Sequence, residues 1–333
     1  MPEFIPLYRP DLTSADQQAL LDQLERAPFV DGEAVRVWEA GWERQWGRRA
    51  VAFAGHDEAV RCLKEILGWR SGDAVGVDPL LDPAWSEALA ANWLQAVWRD
   101  IDPQTGQACR EPVAHPQATA PLRAVVVNHP FGLPALLPDP AWLVIEEISA
   151  LVQPLPGVGQ GAVQLVNGAG PRILPVGTGC LLLSTDEPLI EALLKKRSRP
   201  PGAAACALGS ALLAAMPARL ARRRELAERF LGLRLRGFGK LPDNPVGGRA
   251  WELFHLLMRD AEVSTALQAF LHKAGIGCGT PLWYTPRLPE GVVLPGLQAC
   301  QRHALAIPLY AALSDPEAKK IINRIHRWAE RCQ

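Results

Sequence analysis

The sequence lacks an excess of charge of either sign. Its 35 Lys and Arg residues are balanced by 35 Asp and Glu residues. A protein that attracts nucleic acid or an anionic membrane surface by charge needs a net positive field. The longest basic run, 222–224, is followed at once by Glu225 in a segment with helical patterning, which is typical of a solvated helix face. We therefore expect neither nucleic acid nor membrane as a partner.

Long apolar runs and paired cysteines are also absent. No stretch reaches the roughly 18 apolar residues that a membrane span needs, and residues 1–4 lack the basic and apolar regions of a secretory signal. The seven cysteines never form a Cys-x-x-Cys pair, which is typical of reduced thiols. Cys300 and His303 are the only pair at metal-ligand spacing, so no metal site is expected. These absences predict a cytoplasmic protein.

What the sequence does have is a series of short apolar runs separated by turn residues. They occupy residues 50–54, 74–77, 96–98, 124–127, 143–145, 163–166 and 180–183. Continuous apolar strands of this kind are typical of a mostly parallel sheet that is covered by helices on both faces. The sequence therefore predicts an α/β fold with a large sheet sandwiched by helices.

Helical patterning predicts further elements and a division into two domains. Ser14 with Gln17 and Ser314 with Glu317 have the spacing of capping boxes. Trp38, Trp42 and Trp46 recur every four residues, which predicts a helix packed in the core or in a dimer interface. Helical stretches are predicted at 57–67, 208–230, 263–274 and 316–329. The Gly- and Pro-rich segment 232–248 then predicts a large domain over 1–230, with an N-terminal helical arm, and a small α+β domain over 231–333.

Several short motifs, in their order along the chain, resemble one protein family. They are Ile5-Pro-Leu-Tyr-Arg-Pro-Asp-Leu-Thr, Gly72-Asp-Ala-Val, Trp98-Arg-Asp-Ile-Asp-Pro, Asn128-His-Pro-Phe-Gly, Val144-Ile-Glu-Glu, Gly177-Thr-Gly-Cys and Leu305-Ala-Ile-Pro-Leu. In this order and at these spacings the chain resembles the DegT/DnrJ/StrS-type sugar aminotransferases, which are fold type I pyridoxal phosphate enzymes. The resemblance implies that fold, a dimer and a function in nucleotide-sugar or cell-surface polysaccharide metabolism. Between His129 and Glu147 the chain is shorter than the family, which carries a helix there.

The resemblance places an arginine where the family has its cofactor lysine. Counting back from the Gly-Thr-Gly motif at 177–179, the lysine position falls on Arg172. A lysine amine can form a Schiff base with pyridoxal phosphate, whereas a guanidinium stays protonated and is a poor nucleophile. The nearest lysines, Lys195 and Lys196, lie beyond the next strand and are expected on the surface.

The phosphate-binding turn of the family is altered as well. The family uses Ser-Gly-Thr at a strand-to-helix turn, and here the turn reads Ala54-Gly55-His56. Both hydroxyls are missing, and Asp57 and Glu58 follow in the first helical turn. Two carboxylates at a helix start suit the helix dipole but repel a phosphate. This arrangement favours a self-capped helix start over an anion site.

Other positions of the implied cofactor pocket carry unexpected side chains. The ring-stacking aromatic falls on Asp82, and Trp85 could replace it only if the loop were rebuilt. The carboxylate that pairs with the pyridine nitrogen falls on Glu147. The phosphate-binding hydroxyl falls on Asn167, and the asparagine lent by the partner subunit falls on Ser198.

Several charged residues could have a different role in such a pocket. Glu146 and Glu147 end a predicted strand at the carboxyl edge of the sheet, and Arg172 is expected near them. A salt bridge that fills the abandoned pocket is the simpler interpretation; the alternative is a site for a small polar metabolite. His56 is expected to be a helix cap or a general base, and His129 to be structural or to line the pocket.

Three functions stay open at this point. The first is a non-catalytic homologue without bound pyridoxal phosphate, acting as a binding or partner subunit in a homodimer or in a heterodimer with an active paralogue. The second is an active pyridoxal phosphate-dependent aminotransferase with an atypical site. The third is a new enzyme activity in the old cleft, based on His56, Glu146, Glu147 and Arg172. Loss of the lysine, the phosphate turn and the stacking ring together favours the first.

Overall fold

The computed structural model describes residues 4–26, 32–109, 121–138, 142–169, 173–243, 248–282, 284 and 286–332. The strands are β1 Arg49–Phe53, β2 Ala74–Val77, β3 Gln95–Trp98, β4 Leu122–Asn128, β5 Leu143–Glu147, β6 Val163–Asn167, β7 Cys180–Ser184, β8 Gly239–Lys240, β9 Phe254–Met258 and β10 Ala304–Ile307. The helices are α1 Ser14–Arg26, α2 Gly32–Trp46, α3 His56–Ile66, α4 Pro83–Ala91, α5 Glu187–Lys196, α6 Ala203–Ala214, α7 Met216–Leu231, α8 Ala261–Lys273, α9 Pro295–His303 and α10 Asp315–Arg331, with a short 3₁₀ turn at Pro130–Gly132.

The seven predicted apolar runs all form strands, with bounds within two residues of those expected. They build one sheet in the order β1-β7-β6-β5-β4-β2-β3. The pairs among β3, β2, β4, β5 and β6 are parallel, and β7 runs antiparallel to both of its neighbours. The parallel part places the carboxyl ends of β2, β4, β5 and β6 at one edge, where α/β proteins bind ligands. The predicted α/β fold is confirmed.

Two details of the predicted helices are wrong. The capping residue of α1 is Thr13, not Ser14, because the Asp16 carboxylate accepts hydrogen bonds from the backbone and the hydroxyl of Thr13. The single stretch predicted at 208–230 is two helices, α6 and α7, bent by 57°. Pro217 lies in the first turn of α7, where it needs no backbone donor; inside a continuous helix its ring would clash with the preceding turn.

Helices cover both faces of the large sheet. On one face, α3, α4 and α5 pack with β1 to β7 into a core that contains Trp85 and Trp98. On the other face α2 and α6 pack against the sheet near β1 and β7. Trp38, Trp42 and Trp46 of α2 are buried here within the chain itself, so they belong to the core.

The second sheet has three antiparallel strands in the order β10-β9-β8. It shares a hydrophobic core with α8 and α10. The predicted capping box of α10 is confirmed, since Ser314 and Glu317 exchange both hydrogen bonds. Helix α9 also packs on the large sheet, since Leu297 and Cys300 belong to its core. The Asp100 carboxylate, which follows β3, accepts hydrogen bonds from the backbone N–H groups of Gly296 and Leu297 at the start of this helix. The domain division at 230/231 stays a prediction.

No single helix among the described residues has both the length and the apolar character of a membrane span. The bent pair formed by α6 and α7 meets those two criteria only when its members are taken together.

Candidate functional site

The start of α3 is the position that the family resemblance assigns to the cofactor phosphate. Gly55 precedes the helix with an extended backbone. The Asp57 carboxylate lies beside Gly55, because its Oδ1 would be 2.7 Å from a Cβ built on that glycine, and it forms an ion pair of 2.6 Å with Arg199. The hydrogen bond from Arg199 is the main reason that the pKa of Asp57 is lowered. A carboxylate of the same chain therefore lies at the helix start where the family would bind a phosphate.

Glu58, the second carboxylate of this turn, holds the loop between α5 and α6. Its Oε1 accepts from the Ser198 hydroxyl at 2.7 Å, from the Ser198 N–H at 2.6 Å and from the Arg199 N–H at 3.1 Å. Burial opposes ionisation of Glu58, but these hydrogen bonds outweigh it and lower the pKa of the carboxyl. Ser198 itself is exposed, although its hydroxyl is bound within its own chain.

Asp82 and Asn167 meet at the carboxyl edge of the sheet. Asp82 follows β2 and caps α4, where its Oδ1 accepts from the Ala84 N–H at 2.9 Å. Its Oδ2 accepts from Asn167 Nδ2 at 2.5 Å, and Asn167 Oδ1 accepts from the Ala169 N–H at 2.8 Å. Both residues are buried. Two side chains that the resemblance assigns to the ring and to the phosphate of the cofactor therefore bind each other.

Trp85 lies below this contact in the hydrophobic core and is 1% exposed. Its ring packs edge-on against His56, with 5.5 Å between the ring centroids. Because both of these rings are buried, Trp85 has no solvent-facing surface on which a cofactor ring could stack. The structure thus brings together His56, Trp85, Asp82 and Asn167, but as packed and hydrogen-bonded neighbours.

Glu146 and Glu147 point to opposite faces of β5. Successive side chains of a strand alternate, and Ile145 belongs to the core that contains Trp85, whereas Val144 belongs to a separate cluster on the other face. Glu147 therefore shares the face of Trp85. It is fully buried, in register with Asn128 of β4. Glu146 lies on the face away from the implied cofactor position, which corrects its assignment to the pocket.

His129 belongs with Glu146, not with the pocket. His129 Nδ1 accepts from the Ala135 N–H at 2.9 Å, so Nε2 carries the proton and donates to Glu146 Oε2 at 3.2 Å. The same carboxylate accepts from the N–H groups of Gly159, at 2.8 Å, and Gly161. Burial would raise the pKa of Glu146, but these donors outweigh burial and lower it. The network fixes two loops and is structural.

Arg172 lies outside the described residues. In the sequence, no lysine occurs between Lys64 and Lys195. The strand-to-strand connection from β6 to β7 thus contains none. Lys195 and Lys196 are exposed at the end of α5, and Lys196 pairs with Glu65 at 2.7 Å. Their expected surface position agrees with the structure.

An open cleft remains between the edge of the large sheet and the small sheet. A shallow pocket there, partly open to solvent, is lined by Leu80, Asn128, Phe131, Glu252 and Tyr284 together with prolines and leucines. Of the residues assigned to the cofactor pocket, none that the structure describes lines it. Among the described residues, no group of three or more His, Cys, Asp or Glu side chains could hold a metal ion.

Solved structures identify the fold. The aminotransferase TlmJ from Streptoalloteichus hindustanus matches with a TM-score of 0.82 and 23% identity over 98% of this chain and 99% of that chain. A DegT/DnrJ/EryC1/StrS aminotransferase from Brucella abortus matches with a TM-score of 0.75 and 18% identity over 95% of each chain. The chain has the fold of the DegT-type aminotransferases. NtdA from Bacillus subtilis, solved with bound cofactor PMP, matches with a TM-score of 0.82 and 16% identity over 99% of this chain and 86% of that chain.

These similarities concern the fold alone, because every identity is below 25%. No family model and no curated protein matches the sequence. The fold implies a pyridoxal phosphate or pyridoxamine phosphate cofactor. The side chains described here do not fit that group: carboxylates occupy the helix start, and Asp82 binds Asn167 where a ring and a phosphate hydroxyl would be expected.

Sequence reasoning missed two features of this region. It did not distinguish the faces on which Glu146 and Glu147 lie, although strand alternation in the run 143–147 was a usable signal. It also missed the glycine donors that hold Glu146, because Gly159 and Gly161 lie in a loop whose path has no sequence signature.

Proposed function

We propose that this chain is a sugar-aminotransferase homologue without transaminase activity, which serves as a binding or partner subunit in sugar or polysaccharide metabolism. The observation that carries the proposal is the hydrogen bond between Asp82 and Asn167, which joins two positions that would otherwise contact the cofactor. The absence of any lysine between β6 and β7 supports the same conclusion from the sequence.

Transaminase chemistry of this type depends on a neutral amine next to the cofactor. The lysine first holds the cofactor covalently and later moves the proton. Arg172 stands at that position in the sequence, and a guanidinium does neither at neutral pH. Lys195 and Lys196 follow β7 in the sequence and are exposed at the end of α5.

Phosphate binding at α3 would also require a rearrangement. A phosphate near Gly55 would have to displace the Asp57 carboxylate, which lies beside this glycine and pairs with Arg199. It would then lie close to two carboxylates in the first turn, where charge repulsion opposes the helix dipole. The Asp57–Arg199 pair at this helix start supports a cofactor-free chain.

A partner role rests on the exposed α5–α6 loop. The resemblance places a residue there that reaches the neighbouring subunit's site, and Ser198 occupies that position. Because Glu58 binds both the N–H and the hydroxyl of Ser198, the loop is held in one place relative to α3 while its outer surface remains exposed. A fixed, exposed loop is suited to contact a lysine-bearing homologue.

The test is an activity and association experiment with a lysine-bearing homologue. The chain alone, given pyridoxal phosphate, an amino donor and a nucleotide keto sugar, is expected to transfer no amino group. Mixed with the homologue, it is expected to co-elute and to change the homologue's rate. Ser198→Arg should weaken that association, whereas Val293→Arg, at an exposed site on the small domain, should not.

Two results would contradict the proposal. Turnover by the chain alone would favour the active-enzyme alternative. Separate elution of the two proteins, with an unchanged rate, would exclude the partner role while leaving the inactive site unaffected.

A further inference from the structure

One flank of α10 carries a row of basic side chains. The row consists of Lys320, Arg324, Arg327 and Arg331, and Lys319 lies beside it. Steps of four, three and four residues keep these positions on one side of a helix. Lys319, Arg327 and Arg331 are exposed, whereas Lys320 and Arg324 are half-buried. Along about 17 Å of helix, at 1.5 Å per residue, the chain therefore presents charge of one sign.

The acidic residues of α10 do not neutralise this row. Each of them pairs with arginines from other segments: Asp315 with Arg222 and Arg229, Glu317 with Arg9, and Glu330 with Arg236. Among the residues that the structure describes, no carboxylate lies within ion-pair distance of the five basic side chains. Like charges three or four positions apart destabilise a helix. The row therefore opposes the stability of α10 unless an external anion binds it.

A shallow, open groove follows the basic side chains. It is bordered by Pro316, Lys319, Lys320, Asn323, Arg324 and Arg327. Asn323 is exposed and supplies both a donor and an acceptor. Lys320 also has a local role, because its Nζ lies near Gly275 at the carboxyl end of α8, where the helix dipole favours a cation. The other basic side chains of the groove are suited to donate charge-assisted hydrogen bonds to carboxylates.

Other classes of anionic partner fit this face less well. A membrane-binding helix inserts apolar side chains, but Ile321, Ile325 and Trp328 of α10 are buried in the core of the small sheet. Single-stranded nucleic acid stacks its bases on exposed aromatic rings, and Trp328, the only Phe, Tyr or Trp of α10, is 4% exposed. Duplex nucleic acid requires a broad positive field, whereas Asp315 and Glu330 lie near the two ends of the row. A protein segment with carboxylates at matching positions fits best.

We propose that this face of α10 binds an acidic helix of a partner protein. A helix with Glu at the same steps of four, three and four residues, lying along the row, places one carboxylate opposite each of its four basic side chains. Opposite charges arranged in this way give an interface its specificity and its association rate. The face is separate from the α5–α6 loop and does not depend on whether the chain is an active transaminase.

The test is fluorescence anisotropy of the full chain with a labelled helical peptide of about 18 residues. The peptide carries Glu at the spacing of the row and Ala elsewhere, and the control peptide has Gln in place of each Glu. The Glu peptide is expected to bind at least about tenfold more tightly, and to bind more weakly as NaCl is raised, because salt screens exposed charges. No binding of the Glu peptide, or equal binding of the Gln peptide, would overturn the proposal. Tighter binding of a duplex oligonucleotide or of phosphatidylserine vesicles would overturn it in favour of that class of partner.

Charge-reversal variants locate the binding face. Arg324→Glu combined with Arg327→Glu is expected to weaken binding of the Glu peptide at least about tenfold. Arg70→Glu combined with Lys195→Glu makes the same change of net charge at exposed positions outside α10 and should leave the affinity unchanged. If the first variant does not fold, Lys319→Gln combined with Arg327→Gln decides, because both positions are exposed; it should also weaken binding. Equal affinities of the α10 variant and the unmodified chain would place the peptide elsewhere and overturn the assignment.

Discussion

Asn167 Nδ2 donates to Asp82 Oδ2 at 2.5 Å, which joins the ends of β6 and β2 across 85 residues of sequence. The bond lies at the carboxyl edge of the sheet, between positions that the family resemblance assigns to cofactor binding. Both side chains are buried. A buried hydrogen bond to a carboxylate stabilises a fold more than a hydrogen bond between two neutral groups does. The contact between Asp82 and Asn167 therefore stabilises the carboxyl edge of the sheet.

The first prediction concerns the stability that this bond provides. Asp82→Ala removes both the helix cap of α4 and the bond to Asn167, so the free energy of unfolding should fall by about 2–4 kcal/mol. Asp186→Ala is the matched control, because Asp186 caps α5 through Leu189 and is exposed; it should cost about 1 kcal/mol. Urea unfolding of both variants measures the difference, and equal losses would show that the Asp82–Asn167 bond adds nothing.

The second prediction concerns Gly132, in the turn after β4. Its φ is 77°, and a Cβ there would lie 2.8 Å from the Trp251 nitrogen and 2.9 Å from the Glu252 nitrogen. Gly132→Ala should therefore lower the free energy of unfolding by about 2–4 kcal/mol, since both backbone strain and a clash with main chain arise. Gly68→Ala has a similar φ of 66° but meets nothing within 4 Å. It should lose only about 1 kcal/mol, and a loss as large as that of Gly132→Ala would contradict the close approach.

The third prediction is a pH dependence that comes from His255. Burial first, and the charge of Arg249 second, lower the pKa of His255 to about 3, while its Nε2 donates to the Gln104 carbonyl at 2.8 Å. Since the unfolded chain protonates this histidine near its ordinary pKa, the neutral form stabilises the fold fully above about pH 6.5. That contribution is lost as pH falls towards 3, with a slope of up to about 1.4 kcal/mol per pH unit.

His255→Gln keeps a donor for the Gln104 carbonyl but does not titrate. Unfolding free energies of the variant should therefore vary less between pH 7 and pH 4 than those of the unmodified chain. The measurement is a series of denaturant titrations at fixed ionic strength. Parallel pH profiles for the two proteins would show that His255 is protonated at an ordinary pH in the folded state.

The fourth prediction concerns a restored lysine. Arg172→Lys supplies the amine at the family position, but the α3 helix start still carries Asp57 and Glu58, and Asp82 still binds Asn167. We therefore expect the variant to show no visible absorption band of a lysine-bound cofactor at stoichiometric pyridoxal phosphate. A stoichiometric band in this single variant would show that the phosphate and ring sites are intact and that only the lysine was lost.

The fold could be predicted from the sequence because its signals are local. Runs such as 74–77 and 180–183 are apolar on both faces, as a covered sheet requires, and Ser314 with Glu317 is a complete capping box. The break at Ala215 could have been predicted from Pro217. By contrast, the contacts of Glu146 and His129 depend on which strand face and which loop lie opposite them. Contacts between residues far apart in sequence, such as Asp82 with Asn167, have no local pattern.

We propose that this chain does not hold pyridoxal phosphate through a lysine. The most direct measurement is to incubate the purified chain with pyridoxal phosphate, reduce it with borohydride, and determine the intact mass followed by peptide mapping. We expect no stoichiometric adduct, and at most a trace spread over exposed lysines such as Lys195 and Lys196. A stoichiometric adduct that maps to one lysine would contradict it and identify a relocated catalytic residue.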